Sequence, residues 1–253
     1  MHILLTNDDS YDSPLFHILY DALLKLGHKI TCIMPASEQS WTGKSMTRSG
    51  ELTATEMNIE QRQFTAFSGT PADCVNFGIY NICQDNKPDL VISGINMGYN
   101  VGLSYLLSSG TIGAATEGYL AGIPSIAFSQ KLQSEDYLYW NKNRSFSEST
   151  REVIATQTDL LLNVISSQLE ELSKTIELWT IEIPDFFADN WQVIETTPSL
   201  KHYGKAFTKN EDGTYKHCSP TPLMEDAKGT DIDTIMTGHI ALNKIDFKGL
   251  CQK

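Results

Sequence analysis

An apolar run at residues 2–6 (HILLT) is followed by Leu15, Ile18, Leu19, Ala22, Leu23 and Leu26 at helical spacing, then by a second apolar run at 29–34 (KITCIM). Strand, helix and strand within thirty-odd residues form a βαβ unit, whose crossover is right-handed. Gly27 supplies the helix stop and Pro35 ends the second strand. The alternation continues. FTAFS (64–68) reads as a strand, and GTPADCV opens a helix with Thr70 as cap, Pro71 in the first turn and Asp73 completing an [ST]-x-x-[DE] signal; that helix should end before Pro88. DLVISG (89–94) and PSIAFS (124–129) are buried strands flanking a small-residue helix, TIGAATEGYLAG (111–122). These residues predict an α/β fold, Rossmann-like, with three layers α/β/α and a mostly parallel sheet.

Beyond residue 130 the pattern weakens. Residues 131–150 read as a long polar loop, 151–173 as a helix, ELWTIEIP (177–184) as a strand, and 191–218 as short strands around an EDGT hairpin turn. Residues 231–247 alternate weakly and are ambiguous. The expectation is one domain, 1–253, in which 1–130 form the core carrying the site and 131–253 a C-terminal β-hairpin/helix elaboration.

Asp and Glu number 31 against 19 Lys and Arg, a net charge of −12. That balance argues against a long nucleic acid, which needs a basic footprint. It leaves room for a mononucleotide, since a divalent cation reverses the local field. Cys32, Cys74, Cys83, Cys218 and Cys251 are odd in number and contain no CxxC pair, which disfavours a zinc site or a disulfide framework. MHILLTNDD has no basic n-region, and no apolar run approaches the ~20 residues of a membrane span. A cytoplasmic protein with no membrane partner is expected.

In an open parallel sheet, ligands bind at the carboxyl ends of the strands. TNDDS (6–10), SEQSWTGKS (37–45), SGTPAD (68–73) and SGINMGYN (93–100) all fall at such ends, and SSGT (108–111) enters the small-residue helix. Past the strand end, the carboxylates of Asp8 and Asp9 can converge. Two such groups suppress each other's ionisation unless a cation neutralises them, and no Lys or Arg lies nearby in sequence. A divalent ion is one partner. The alternative, that Asp9 or Ser10 caps the next helix, is equally compatible with the pair alone. Asn96 and Asn100 offer amide groups between Gly94, Gly98 and Gly102, an arrangement that also suits an ordinary turn. SSGT presents backbone N–H groups to an anion, or simply an N-cap at Ser109 or Thr111. Neither GxGxxG nor GxxxxGK[ST] occurs, and none of the six histidines forms a compact ligand pair. A metal site here would be oxygen-rich, favouring Mg²⁺ or Mn²⁺.

ILLTNDD, EQSWTGKSMT, SGTPADCV, PDLVISGINMGYNVG, SSGTIGAATEG and GIPSIAFS occur in order over residues 3–129. Together they resemble the SurE survival-protein family of metal-dependent nucleotidases, with weaker echoes in IEIP (181–184), Tyr203 and GTD (229–231). The resemblance implies a phosphoric monoester hydrolase, a 5′-nucleotidase that also takes 3′-monophosphates and, in some members, polyphosphate. It implies one divalent metal per subunit on Asp8, Asp9, Ser40 and Asn96. The catalytic residues would be Asp8 and Asp9, and phosphate would be held by Asn7, Asn96, Ser109, Gly110 and Thr111. It also implies a homodimer or homotetramer built with the C-terminal segments. Where the family usually has Gly after NDD, this chain has Ser10; where Gly follows the QS serine, it has Trp41, which could stack on a base or line an oligomer contact. DSPLF replaces an APG-like stretch, and Ser108 a Tyr. The expected chemistry is in-line attack by water; an aspartyl nucleophile ranks lower, and the proton donor, His217 or a water, is marked by no motif. The rival functions are a non-hydrolytic Rossmann-like nucleotide or metal-binding module and a metal-dependent glycosyltransferase.

Overall fold

In the computed structural model, β1 (His2–Thr6) is buried along its length, as a continuous apolar run requires. Its side chains alternate between two cores. Ile3 and Leu5 join Leu15, Phe16 and Leu19 of α1 (Pro14–Lys25), while Leu4 faces Val75, Ile79 and Ala114 in the other layer. The residues described are 1–59, 61–200, 202–218, 228–247, 249 and 251.

Nine strands form one sheet. β2 (Lys29–Pro35) lies parallel to β1 on one side and β5 (Leu90–Met97) on the other. Outside β2 are β4 (Arg62–Phe67) and then an antiparallel edge strand, β3 (Ala54–Ile59). Outside β5 come β6 (Ser125–Gln130) and β7 (Leu178–Ile183), both parallel, then antiparallel β11 (Ile240–Ile245) and edge strand β8 (Val193–Thr196). α1 and α6 (Glu148–Leu172) pack together on one face. α2 (Pro71–Phe77) and α4 (Gly110–Leu120) cover the other. The α/β/α sandwich with its mostly parallel sheet is therefore as the sequence predicts.

α2 has the expected capping box: Thr70 accepts from the Asp73 N–H, and the Asp73 carboxylate accepts from the Thr70 N–H. Near the C-terminus, β9 (Phe207–Lys209) and β10 (Tyr215–His217) form a separate hairpin around EDGT. The ambiguous stretch 231–247 resolves into α7 (Asp231–Met236) and β11. Three elements were not legible. Segment 131–150, expected as loop, contains α5 (Ser134–Asn143), which buries no residue and so shows no helical periodicity. β3 is a largely exposed edge strand, and α3 (Leu103–Ser108) is a short helix burying only Leu106. Among the described residues no helix is long and apolar enough to cross a membrane.

Candidate metal centre

The strand order runs outward from β1 through β2 and β4, and in the opposite direction from β5 through β6 and β7. β1 and β5 therefore flank the topological switch point, where open α/β sheets bind ligands. Asp8 and Asp9 leave the end of β1, and Asn96 stands at the end of β5.

The turn after β1 is held from within. Asn7 is fully buried, and its Nδ2 donates to the Ser10 carbonyl at 2.7 Å. Ser10 has φ +74°, the left-handed region where glycine is at ease. α1 is capped at Ser13 without a side-chain bond, so neither Asp9 nor Ser10 caps it. The carboxylates are thereby free for other work. Asp8 is 3% exposed, and its Oδ1 accepts from the Thr111 hydroxyl. A Cβ at Gly110 would lie 2.9 Å from Asp8 Oδ2, so only glycine lets the start of α4 come this close. Asp9 Oδ2 accepts from the Met97 backbone N–H at 3.0 Å, tying the end of β1 to β5.

Ser40 arrives on the loop after β2, which is anchored by the Gln39 N–H on the Asp8 carbonyl at 2.8 Å. Its hydroxyl donates to Glu38 Oε1 at 2.9 Å. Asn96 follows a bulge in the β5–β6 register between Ser93 and Asn96, a device that re-aims a side chain. Its Nδ2 donates to the Gly98 carbonyl at 3.1 Å, and its Oδ1 has no protein partner among the described residues.

Asp8, Ser40 and Asn96 share the wall of a cavity of about 160 Å³ with Tyr99, Ser108 and Ser109. Asp9 and Ser40 open onto an adjoining cavity of about 490 Å³ that also takes in Trp41, Trp140 and His217. Burial lifts the Asp8 carboxyl to about 6, against the opposing effect of its hydrogen bonds from Thr111. Asp9 is raised well above the usual carboxylate range, first by burial and then by the charge of Asp8. Among the described residues neither carboxylate forms an ion pair. Among the described residues there is no group of three or more His, Cys, Asp or Glu able to hold a metal.

Four of the residues expected to bind phosphate or shape its site do other things as well. The Ser109 hydroxyl accepts from the Ile112 N–H as the α4 N-cap while lining the smaller cavity. Thr111 is fully buried with its hydroxyl on Asp8, Gly110 gives that contact room, and Asn7 braces the turn while its Oδ1 has no partner among the described residues. Two features escaped sequence reasoning. The aromatic residues Tyr105, Tyr137 and Trp140 lie close to the site; their helices α3 and α5 were not legible. Glu182 is 1% exposed near the carboxyl end of β7, and its Oε2 accepts from the Asn100 N–H at 2.8 Å. A glutamate inside the apolar run LWTIEI was the available signal.

A family model described as "Survival protein SurE" matches residues 3–206. A protein named 5′-nucleotidase SurE from Methanocella arvoryzae is 32% identical over 237 residues, covering 92% of this chain and 86% of the relative. One of the same name from Methanococcoides burtonii is 32% identical over 246 residues, covering 96% and 92%. The crystal structure of the SurE protein from Aquifex aeolicus superposes with a TM-score of 0.73 at 27% identity, covering 98% of this chain and 94% of that one.

Proposed function

The chain belongs to the SurE family, and on that premise we propose that it is a divalent-metal-dependent phosphatase converting nucleoside 5′-monophosphates to nucleoside and phosphate. The proposal extends to 3′-monophosphates and to polyphosphate as further substrates, and to a homodimer or homotetramer as the working form. One observation carries it: at the switch point of the sheet, the buried carboxylate of Asp8 and the half-buried one of Asp9, with no cation partner among the described residues, line adjoining cavities together with the Ser40 hydroxyl and the Asn96 side chain.

These donors fit a hard cation. Asp8, Asp9, Ser40 and Asn96 supply oxygen only, and the raised carboxyls of Asp8 and Asp9 mark a site lacking positive charge. They would hold one Mg²⁺ or Mn²⁺ per chain. When bound, such an ion polarises a phosphoryl oxygen and lowers the pKa of water. The chain's own groups do the rest. Thr111 fixes the rotamer of Asp8 through its hydroxyl, and the Met97 N–H fixes Asp9, so the two carboxylates are oriented before any substrate arrives. Ser108, Ser109 and the start of α4 face the smaller cavity, where hydroxyls and the positive end of the helix suit phosphate oxygens.

A panel of 5′- and 3′-mononucleotides and polyphosphate, with and without each metal, tests the proposal. Phosphate release that requires Mg²⁺ or Mn²⁺ supports it. Tight nucleotide binding with no release under any metal would favour a non-hydrolytic module. Release of sugar or diphosphate from a nucleotide sugar would favour a glycosyltransferase.

A further inference from the structure

Trp41 is the residue after Ser40, and it holds φ +64°, a conformation bulky side chains rarely adopt. Such an outlier persists only where its surroundings over-determine it. Here three rings meet the indole edge to face: Tyr203 at 5.1 Å, His217 at 5.3 Å and Tyr105 at 5.8 Å between centroids. Yet Trp41 remains 44% exposed, so this bracing does not bury it. It presents the ring to the cavity of about 490 Å³ instead. The same cavity is lined by Tyr137 and Trp140 of α5, their centroids 6.1 Å apart, with the Arg144 guanidinium 4.6 Å from the Trp140 ring. No residue of α5 is fully buried; Trp140 is half-buried against the main core, while Tyr137 stays 48% exposed beside the cavity. Asp9 and Ser40 line this cavity too, and with them its carboxylate floor begins the metal centre proposed above.

We propose that the cleft between Trp41 and Trp140 is the nucleobase subsite of this enzyme, with the base stacked between the two aromatic walls while the phosphate sits on the carboxylate floor. The proposal rests on the nucleotidase reading above and deepens it. The occupant follows from continuity with the metal centre: Ser40 and Asp9 belong to both, so a ligand whose phosphate is at the floor carries its leaving group into the cleft. Aromatic walls accept every base by its π face, without reading its edge. The enzyme should therefore prefer nucleotides to base-free sugar phosphates while discriminating weakly among the four bases.

The test compares 5′-mononucleotides with ribose 5-phosphate, the same phosphate and sugar without a base, on the Mn²⁺-loaded protein and on Trp41→Gly and Trp140→Ala. Glycine takes φ +64° freely, and Trp140 is only half-buried at the edge of the core, so both variants should fold. The expected result is a fall of about 10- to 100-fold in the kcat/KM preference for nucleotide over ribose 5-phosphate, carried by KM and similar for all four bases. A preference unchanged in both variants overturns the proposal. Tryptophan fluorescence during titration with free nucleoside gives a readout independent of turnover. Quenching in the wild-type chain that is lost in Trp41→Gly supports the subsite, even if no nucleotide is hydrolysed and the nucleotidase reading fails. No quenching, or quenching at the same affinity in both variants, overturns it.

Discussion

The Thr111 hydroxyl donates to Asp8 Oδ1, joining the first turn of α4 to the end of β1 across 103 positions of the chain. Thr111→Val keeps the shape and removes the donor. Affinity for Mg²⁺ or Mn²⁺ should fall about 10- to 100-fold, as is usual when a group orienting a ligand is lost. Metal titration of phosphate release, or calorimetry, measures it. An unchanged affinity would mean that Thr111 does not orient Asp8.

The Asp8 carboxyl, raised to about 6 by burial, makes the metal and the proton competitors. The unfolded value is about 3.9. A raised carboxyl contributes stability that is present below the unfolded value and lost as pH rises through about 6. The metal-free protein should therefore lose this contribution between pH 4 and pH 7, and added Mg²⁺ or Mn²⁺ should restore stability most above pH 6. Thermal unfolding with and without metal from pH 5 to 8 checks this. A metal-induced rise in Tm that is the same at pH 5 and pH 8 would contradict it.

Glu182 follows the same logic at higher pH. Burial pushes it to about 8, with the charge of Asp231 adding to the effect and the Asn100 N–H opposing it. Its stabilising contribution is present below about 4.3 and lost as pH rises through about 8. Wild-type protein should lose stability between pH 7 and pH 9, and Glu182→Gln should lose less, because glutamine still accepts from Asn100 and never ionises. Denaturant unfolding at the two pH values, with the variant shifted by ~1–2 kcal/mol relative to wild type at pH 9, is the check. Parallel pH profiles for the two proteins would count against it.

Ser10 holds the left-handed conformation at φ +74°. For a non-glycine residue this costs roughly 1–2 kcal/mol, while glycine loses roughly 0.5–1 kcal/mol in chain entropy. Ser10→Gly should leave stability equal or raise it by up to about 1 kcal/mol, measured by urea unfolding. A loss greater than that would show that the buried serine side chain contributes more than the backbone strain removes.

Where a segment buries a face, its residues announced it. HILLT is buried on both sides of the sheet, and Thr70 with Asp73 spelled out a cap that forms as written. α5 and β3 were illegible because neither fully buries a residue, Trp140, Met57 and Ile59 being only half-buried against the core, and burial is what writes period into a sequence. The site divides in the same way. Asp8 and Asp9 stood out because adjacent carboxylates at a strand end need a partner. The N-cap at Ser13 removes the capping alternative, and the Thr111 contact on Asp8 is one that no local spacing encodes; the role of the two carboxylates as ligands is the proposal made above. Glu182 was passed over because a lone glutamate in a strand usually points to solvent, whereas β7 has the sheet's helices over both faces.

The most direct measurement is phosphate release from a nucleoside 5′-monophosphate by protein stripped with a chelator and titrated with Mn²⁺, beside Asp8→Asn. The expected result is no release without metal, saturable recovery with it, and loss of at least about 100-fold in the variant at every metal concentration. Full release from the stripped protein, or an Asp8→Asn variant as active as wild type, would contradict a metal-dependent phosphatase built on Asp8.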